Sequence, residues 1–336
     1  MKPSHFMRLA IALACALGAA APSSQAADLI PFKIGISAPV VTIFPVWMGE
    51  AGGFYEKEGL KVDVINMEGG TRGLQVLLSG EIQGMHVGLA PAVLANNQGA
   101  DLRLVTSTCN TIPITMFAKT AVDRRELKGK TFGISTFGSE TDIAISILLK
   151  ELGLARADVT VSQIGGSSQR YAALVAGRID VAPLIEPGIT LAKERGFHPI
   201  VDLAAAGTPW IFDSVVVTSG TLKSDRDTLT RFVRAYVAGA YLALSDEGKA
   251  KEVIAQKFKT NDAKVIDATY RDFRRLMPRD AAPSIDGAKN VLEQLVAIGT
   301  DIGSRNPADY LDLGIIEALK RDGYFAQLEK TYPMRP

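Results

Sequence analysis

Two stretches of the sequence are closely similar: GGTRGLQVLLSGEIQG at residues 69 to 84 and GGSSQRYAALVAGRID at residues 165 to 180. Each opens with a glycine pair, continues with apolar residues at helical spacing, and ends in a Gly-x-Ile turn followed by a polar residue. The copies lie about 97 residues apart, which is the length of a domain and far longer than the repeat of a solenoid. The sequence therefore predicts two units of one fold, each with its own core.

Other landmarks recur in the same order around these stretches. IGIS at 34 to 37 returns as FGIS at 132 to 135, and Thr111-Ile112-Pro113 has a counterpart in Thr208-Pro209. Within each copy, β-rich runs such as KVDVIN alternate with helical segments. This alternation predicts an α/β fold with mostly parallel sheets that carry helices on both faces.

Two β-rich runs can join the units, namely ITMFAKT at 114 to 120 and FDSVVVTSG at 212 to 220. We expect the chain to leave lobe I through the first run and to return through the second. Lobe I then comprises residues 27–113 and 214–336, including a helical tail, and lobe II comprises residues 114–213. Two strands between two lobes form a hinge. The alternative is two independent domains on a flexible linker, but neither run has the Gly/Ser or Pro/Ser richness of one.

The N-terminus has the pattern of a secretory signal peptide. Lys2 and Arg8 precede the apolar run LAIALACALGAAA, and the small-residue site Ser24-Gln25-Ala26 follows. We expect cleavage after Ala26 and a periplasmic mature protein. A membrane anchor is an alternative, but it would need roughly 20 apolar residues, and this run has 13. A lipoprotein cysteine at Cys15 is a further alternative, although it lies close to Arg8.

The composition argues against several classes of function. The formal net charge is +1 and falls to −1 without Lys2 and Arg8, so no attraction to nucleic acid is expected. Cys109 is the only cysteine of the expected mature chain, and its histidines, His86 and His198, are far apart. No P-loop, GxSxG, HExxH or metal-ligand cluster is present in the sequence. We therefore expect a protein that is not an enzyme and that uses no cofactor and no metal.

The candidate binding residues lie in polar loops after the predicted strands, where ligands of open α/β sheets bind. Thr71, Ser139 and Ser167 stand where helices should begin, so their hydroxyls can cap those helices while free N–H groups face an anion. Glu186 and Asp213 lie at the end of a strand and in the return crossover, respectively. Arg72, Phe44 and Trp210 could also contact a ligand, with a surface or core role as the alternative.

The segments FPVWMGEAGGFYEKEGLKVDVI, LKGKTFGISTFGSETDIAISILLKELGL and VAGRIDVAPLIEP, together with IGIS, carry a family resemblance. From about Phe32 to Ser219 the chain resembles the NMT1/THI5-like solute-binding proteins of ABC importers for nitrate, taurine and aliphatic sulfonates. The resemblance implies the two-lobed type II periplasmic binding protein fold. It also implies a monomer that captures a small molecule between its lobes and delivers it to an ABC permease in the inner membrane.

The family pattern implies ligand contacts from both lobes, at Ser37, Thr42, Phe44, Gly70, Thr71, Pro91, Thr136, Ser139, Glu140, Ser167, Glu186 and Asp213. Sulfonate receptors tend to carry a Trp-rich stretch ending in Asp-Pro where this chain has PLIEPG. This difference argues against a sulfonate. Because helix N-termini favour anions, we expect a small anion (sulfonate, nitrate or carboxylate), with a neutral heterocycle as the alternative. Pyrimidine synthases share the fold and are the enzyme alternative, but they carry a cysteine-rich segment that is missing here.

Overall fold

A computed structural model describes residues 28–123 and 126–333. The expected signal peptide, residues 1 to 26, lies outside the described residues. Within the described part of the chain, no helix combines the length and the apolar character needed to cross a membrane.

The strands form two sheets. The first sheet holds six strands: β1 (Ile30–Ile36), β2 (Leu60–Asn66), β3 (Gly84–Val87), β4 (Leu102–Leu104), β5 (Cys109–Thr111) and β11 (Pro209–Thr218). The second sheet holds five: β6 (Thr115–Ala118), β7 (Thr131–Ile134), β8 (Thr160–Gln163), β9 (Val181–Leu184) and β10 (His198–Asp202). We use lobe I for the first sheet with its helices and lobe II for the second.

The two sheets have the same topology. The first runs β2-β1-β3-β11-β4, with β5 paired to β11, and the second runs β8-β7-β9-β6-β10. In each sheet the first three strands pair in parallel, as the repeat predicts. The next strand pairs antiparallel with both neighbours. This antiparallel strand is β11 in lobe I and β6 in lobe II, and each of them follows a crossover of the chain from the other lobe. Each sheet is therefore mixed, because one of its strands comes from outside its own repeat.

Helices connect the strands and form the C-terminal part of the chain. In the repeat region they are α1 (Phe44–Ala51), α2 (Phe54–Lys57), α3 (Gly70–Leu78), α4 (Leu89–Asn97), α5 (Glu140–Glu151), α6 (Ser167–Ala176), α7 (Gly188–Glu194) and α8 (Leu203–Ala206). After β11 they are α9 (Ser219–Ser224), α10 (Arg226–Ser245), α11 (Glu247–Phe258), α12 (Ala263–Leu276), α13 (Ile285–Ala297), α14 (Gly314–Arg321) and α15 (Tyr324–Thr331).

The repeated glycines have a backbone reason. Gly80, just after α3, and Gly177, which caps α6, both have positive φ values, of 80° and 71°. Only glycine adopts this left-handed conformation without strain, and it ends a helix by satisfying its last carbonyls. Each repeat therefore stops its helix at the same place and sends the chain directly into the next buried strand, β3 or β9.

The tail packs against lobe I through α10, which lies on α1. Phe232 of α10 stacks on Phe32 of β1, with ring centroids 4.4 Å apart, and on Tyr55 of α2 at 5.5 Å. A separate cluster under the second sheet is built around Phe117. These contacts agree with the expected division of the chain into lobes. One bound differs, because β11 of lobe I begins at Pro209, inside the range 114–213 expected for lobe II. The division itself stays a prediction.

Candidate functional site

A cleft lies between the two lobes at the carboxyl ends of the parallel strands. Its walls come from the loops after β1 and β3 in lobe I, from the loops after β7 and β9 in lobe II, and from β11. About 40 Å³ of the cleft is open to the centres of water-sized molecules, so the cleft is narrow. The lobes are therefore close together in this conformation, and a larger solute needs them to separate.

Four helices begin at this cleft: α3 and α4 from lobe I, and α5 and α6 from lobe II. Their N-cap residues are Gly69, Gly88, Ser139 and Gly166, and none of the four caps its helix through a side chain. The first turn of a helix has N–H groups without helical partners and a positive dipole end. The cleft is therefore bordered by backbone donors from both lobes.

The prediction that serine and threonine hydroxyls cap these helices is wrong. Thr71 Oγ1, in lobe I, donates to the carbonyl of Phe137, in lobe II, at 2.9 Å. Ser167 Oγ donates to Ile185 at 3.3 Å, and Ser139 Oγ pairs with the Thr141 hydroxyl at 3.0 Å. Three of the four N-cap residues are glycines, and the fourth, Ser139, bonds to Thr141. The N–H groups in the first turns of these helices therefore receive no hydrogen bond from the side chain of their own N-cap residue.

Six of the twelve predicted residues line this cleft together: Ser37, Gly70, Ser139, Glu140, Ser167 and Asp213. Two others lie close behind its walls. Thr42 is buried and hydrogen-bonds to the Asp213 carboxylate. Thr136 packs where a Cβ on Gly69 would be, so it holds the two lobes at close approach.

The remaining predicted residues point elsewhere. Phe44 is buried against Phe273 of α12, with ring centroids 5.0 Å apart. Thr71 and Pro91 line a neighbouring groove between α3 and α4. Glu186 borders a polar cavity between α7 and α12, and its carboxylate accepts hydrogen bonds from Thr190. Burial raises the pKa of the Glu186 carboxyl.

Glu140 is the most unusual group of the cleft. Its carboxylate accepts hydrogen bonds from the Ala90 amide at 3.1 Å and from the Trp210 indole at 2.8 Å. Burial raises its pKa to about 8, the hydrogen bonds from Trp210 and Ala90 oppose the shift, and the nearby Asp213 carboxylate adds to it. The group therefore changes charge near neutral pH.

Arg170 supplies the cation of the cleft, and the sequence reading missed it. Its guanidinium donates to the Pro183 carbonyl at 2.8 Å and to the Gly165 carbonyl, with both acceptors in lobe II. Burial lowers its pKa to about 9, so the side chain stays charged at neutral pH. Within residues 28–123 and 126–333, no carboxylate pairs with it.

Asp213 ends a buried polar network beneath the cleft. Its carboxylate bonds to the Thr42 hydroxyl and to His86 Nδ1, which is 3.1 Å away. The other ring nitrogen of His86 lies 3.0 Å from Thr108 Oγ1 and 3.3 Å from the Tyr236 hydroxyl. His86 is therefore satisfied on both sides and fixes the crossover strand β11 to β3 and α10.

Several contacts bridge the lobes at the edge of the cleft. Besides the Thr71 bond to Phe137, Gln169 Nε2 donates to Glu68 Oε1 at 3.2 Å. A Cβ placed on Gly166 would lie 3.0 Å from the Ala38 side chain. These contacts join lobe I to lobe II, so separating the lobes must break them.

Comparison with known proteins decides the family. A family model described as NMT1/THI5 like matches residues 41–250, which is more than half of the chain. The chain belongs to the NMT1/THI5-like family. The family resemblance read from the sequence is thereby confirmed.

Individual proteins are also similar to this NMT1/THI5-like chain in sequence or in fold. The chain is 26% identical over 227 residues to the riboflavin-binding protein RibY of Chloroflexus aurantiacus, covering 65% of this chain and 63% of that protein. A solved protein of Bordetella bronchiseptica RB50 superposes with a TM-score of 0.79 at 19% identity, over 91% of this chain and 99% of that chain.

A third protein, similar in fold, is the alkanesulfonate-binding protein SsuA from Xanthomonas axonopodis pv. citri, solved bound to MOPS. It superposes with a TM-score of 0.68 at 19% identity, over 86% of this chain and 100% of that chain. The type II periplasmic binding protein fold expected from the sequence is confirmed.

Some residues of the cleft in this NMT1/THI5-like chain were not predicted from the sequence. A sequence pattern was available for some of them and not for others. Ser135 and Thr141 lie in the repeated FGIS region, next to predicted loops, and could have been included. Arg170 lies in the repeated helix α6, but the loop pattern indicates only the first residue of that helix, Ser167. Phe212 enters the cleft from the return crossover, whose exact path depends on the assembled lobes.

Proposed function

We propose that this NMT1/THI5-like protein is the periplasmic solute-binding receptor of an ABC importer. One observation carries the proposal: four helix N-termini without caps of their own converge from two lobes on a single buried cleft. Backbone donors arranged in this way suit a small polar or anionic group. The named functions of RibY and SsuA, both binding proteins, support the proposal.

The receptor would work by opening and closing. The two crossovers, from β5 to β6 and from β10 to β11, are the chain connections between the lobes, so rotation about them changes the width of the cleft. A solute that first binds one lobe gains the donors of the other when the lobes close. A solute favours the closed state only to the extent that it binds this state more tightly than the open state. The closed form would then present an occupied receptor to a permease in the inner membrane.

The solute we propose is a small polar or anionic molecule, of sulfonate, nitrate or carboxylate type. The Arg170 charge and the N-termini of α3, α5 and α6 favour an anion. The N-terminus of α4 is already occupied by Glu140. We therefore place the anionic group of the solute toward α6 and Arg170.

We do not favour the enzyme alternative, a synthase-like activity on the same fold. Cys109 is fully buried in β5, and burial raises the pKa of its thiol to about 12. A thiol in this state is a poor nucleophile at neutral pH. His86 is equally enclosed by Asp213, Thr108 and Tyr236.

The proposal can be tested on the mature protein purified from its own cells. Native mass spectrometry should detect a retained small molecule, and calorimetry with that molecule should give a single site per chain. Ser37→Tyr fills the cleft from lobe I and should weaken binding at least tenfold. Ser168→Tyr, on the exposed side of α6, is the matched control and should bind as the wild type does. Equal binding by the two variants would reject the cleft as the site, and turnover of the retained molecule would reject the receptor.

A further inference from the structure

The Glu140 carboxyl connects the two lobes at the bottom of the cleft. Glu140 is the first residue of α5 in lobe II, whereas both of its donors, the Ala90 amide and the Trp210 indole, belong to lobe I. The N-cap of α4 is Gly88, which has no side chain to cap the helix. Glu140 therefore supplies from the opposite lobe the hydrogen-bond acceptor that α4 lacks, and a carboxyl oxygen can accept this bond in either protonation state.

The surroundings leave a fitted place for this carboxyl. A Cβ on Gly88 would overlap Glu140 Oε1, so the carboxyl reaches α4 only because residue 88 is glycine. The Glu140 side chain is buried, although it begins a helix at the edge of a cleft. The charged groups that share the cleft with it are Asp213 on β11 and Arg170 on α6, and α4 carries no titratable residue.

We propose that Glu140 is the latch of the cleft: it holds lobe II on lobe I by capping α4 across the gap, and it takes up a proton when the lobes close. Glu140 is in this sense a positioning residue. The proposal rests on the proposed function only in that it requires the two lobes to open and close.

The sign of the pH effect follows from burial. In an open cleft the carboxyl faces water, and its pKa is expected near the ordinary value for a glutamate. In the closed structure its pKa is about 8. Between these values the closed state binds a proton that the open state releases, so closure is favoured at low pH. The ratio of closed to open protein should fall by up to about tenfold per pH unit as the pH rises from about 5 to about 8.

The partner indole provides a direct readout without any solute. The mature chain has two tryptophans, so Trp47→Phe leaves Trp210, whose N–H is bonded to Glu140, as the only one. We would record the fluorescence of this variant from pH 5 to pH 9 and compare it with Trp47→Phe/Glu140→Gln. Glutamine keeps the shape and an acceptor oxygen but does not titrate. A titration with a midpoint above pH 6 is expected in the first variant and none in the second.

Two results would overturn the latch: a midpoint near 4.5, which means an exposed carboxyl, or the same titration in both variants.

The capping contact is tested separately by small-angle scattering at pH 6, where Glu140→Leu, which has no acceptor, should be more expanded than Glu140→Gln. Equal radii of two folded variants, as judged by thermal unfolding, would reject it. If the leucine variant does not fold, the fluorescence comparison still decides. Neither measurement uses a solute, so failure of the latch and failure of the receptor function are distinguishable.

Discussion

Replacement of Phe232 by alanine tests whether the C-terminal tail is part of lobe I. The ring is fully buried, stacks on Phe32 and Tyr55, and lies 6.2 Å from Tyr236. Truncation of a buried phenylalanine costs about 3 to 5 kcal/mol, and loss of the aromatic contacts places this site at the upper end. We therefore expect the free energy of unfolding of lobe I to fall by about 4 to 5 kcal/mol.

Phe117→Ala is the matched change in lobe II. Phe117 is equally buried, in the cluster under the second sheet, and no aromatic ring contact is found for it within the described residues. Its truncation should cost about 3 kcal/mol, and the cost should fall on lobe II.

Hydrogen exchange followed by mass spectrometry separates the two effects, because it reports local stability. Phe232→Ala should speed exchange in β1, α1, α2 and α10 and leave β7 and β8 protected. Phe117→Ala should do the reverse. If α10 instead responds to Phe117→Ala, or if Phe232→Ala costs less than 1 kcal/mol, the assignment of the tail to lobe I is wrong.

Three further outcomes are expected. Because burial raises the pKa of Cys109 to about 12, the mature protein should react with a disulfide reagent at pH 8 only after denaturation; rapid reaction of the native protein would contradict this. Asp213→Asn removes the charged partner of His86 and should lower the free energy of unfolding in urea by about 3 kcal/mol, whereas a loss below 1 kcal/mol would show that the network contributes little. Thr71→Val removes the bond to Phe137 that bridges the lobes and should weaken solute binding about three- to tenfold without lowering the thermal midpoint, so calorimetry that finds equal affinity would count against this contact.

Much of the fold could be predicted because the repeat is local in sequence. Gly80 and Gly177 end equivalent helices, and the strands that follow them occupy the same place in each sheet. The mixed pairing could not be predicted in the same way. The strands β6 and β11 enter the middle of each sheet from the other side of a crossover, and their direction is fixed by contacts that are distant in sequence.

The site could be predicted only in part, because a loop position does not fix the direction of a side chain. Gly70 faces the cleft, but Thr71 is turned by one helical step of about 100° and faces the groove beside it. Phe44 follows a cleft loop, yet Phe273, more than 200 residues away, gives its ring an apolar partner in the core. The hydrogen bond by which Glu140 caps α4 forms only when the two lobes approach each other, and no local sequence pattern predicts that approach.

The most direct test of the central claim is small-angle X-ray scattering at pH 8, where Glu140 no longer favours the closed state. The mature protein is measured with its retained solute and after removal of that solute by unfolding and refolding. If the lobes close on a solute in the cleft, the solute-free protein should have a larger radius of gyration, and adding the solute back should restore the smaller value. The same radius in both states, while calorimetry shows that the solute binds, would contradict the claim.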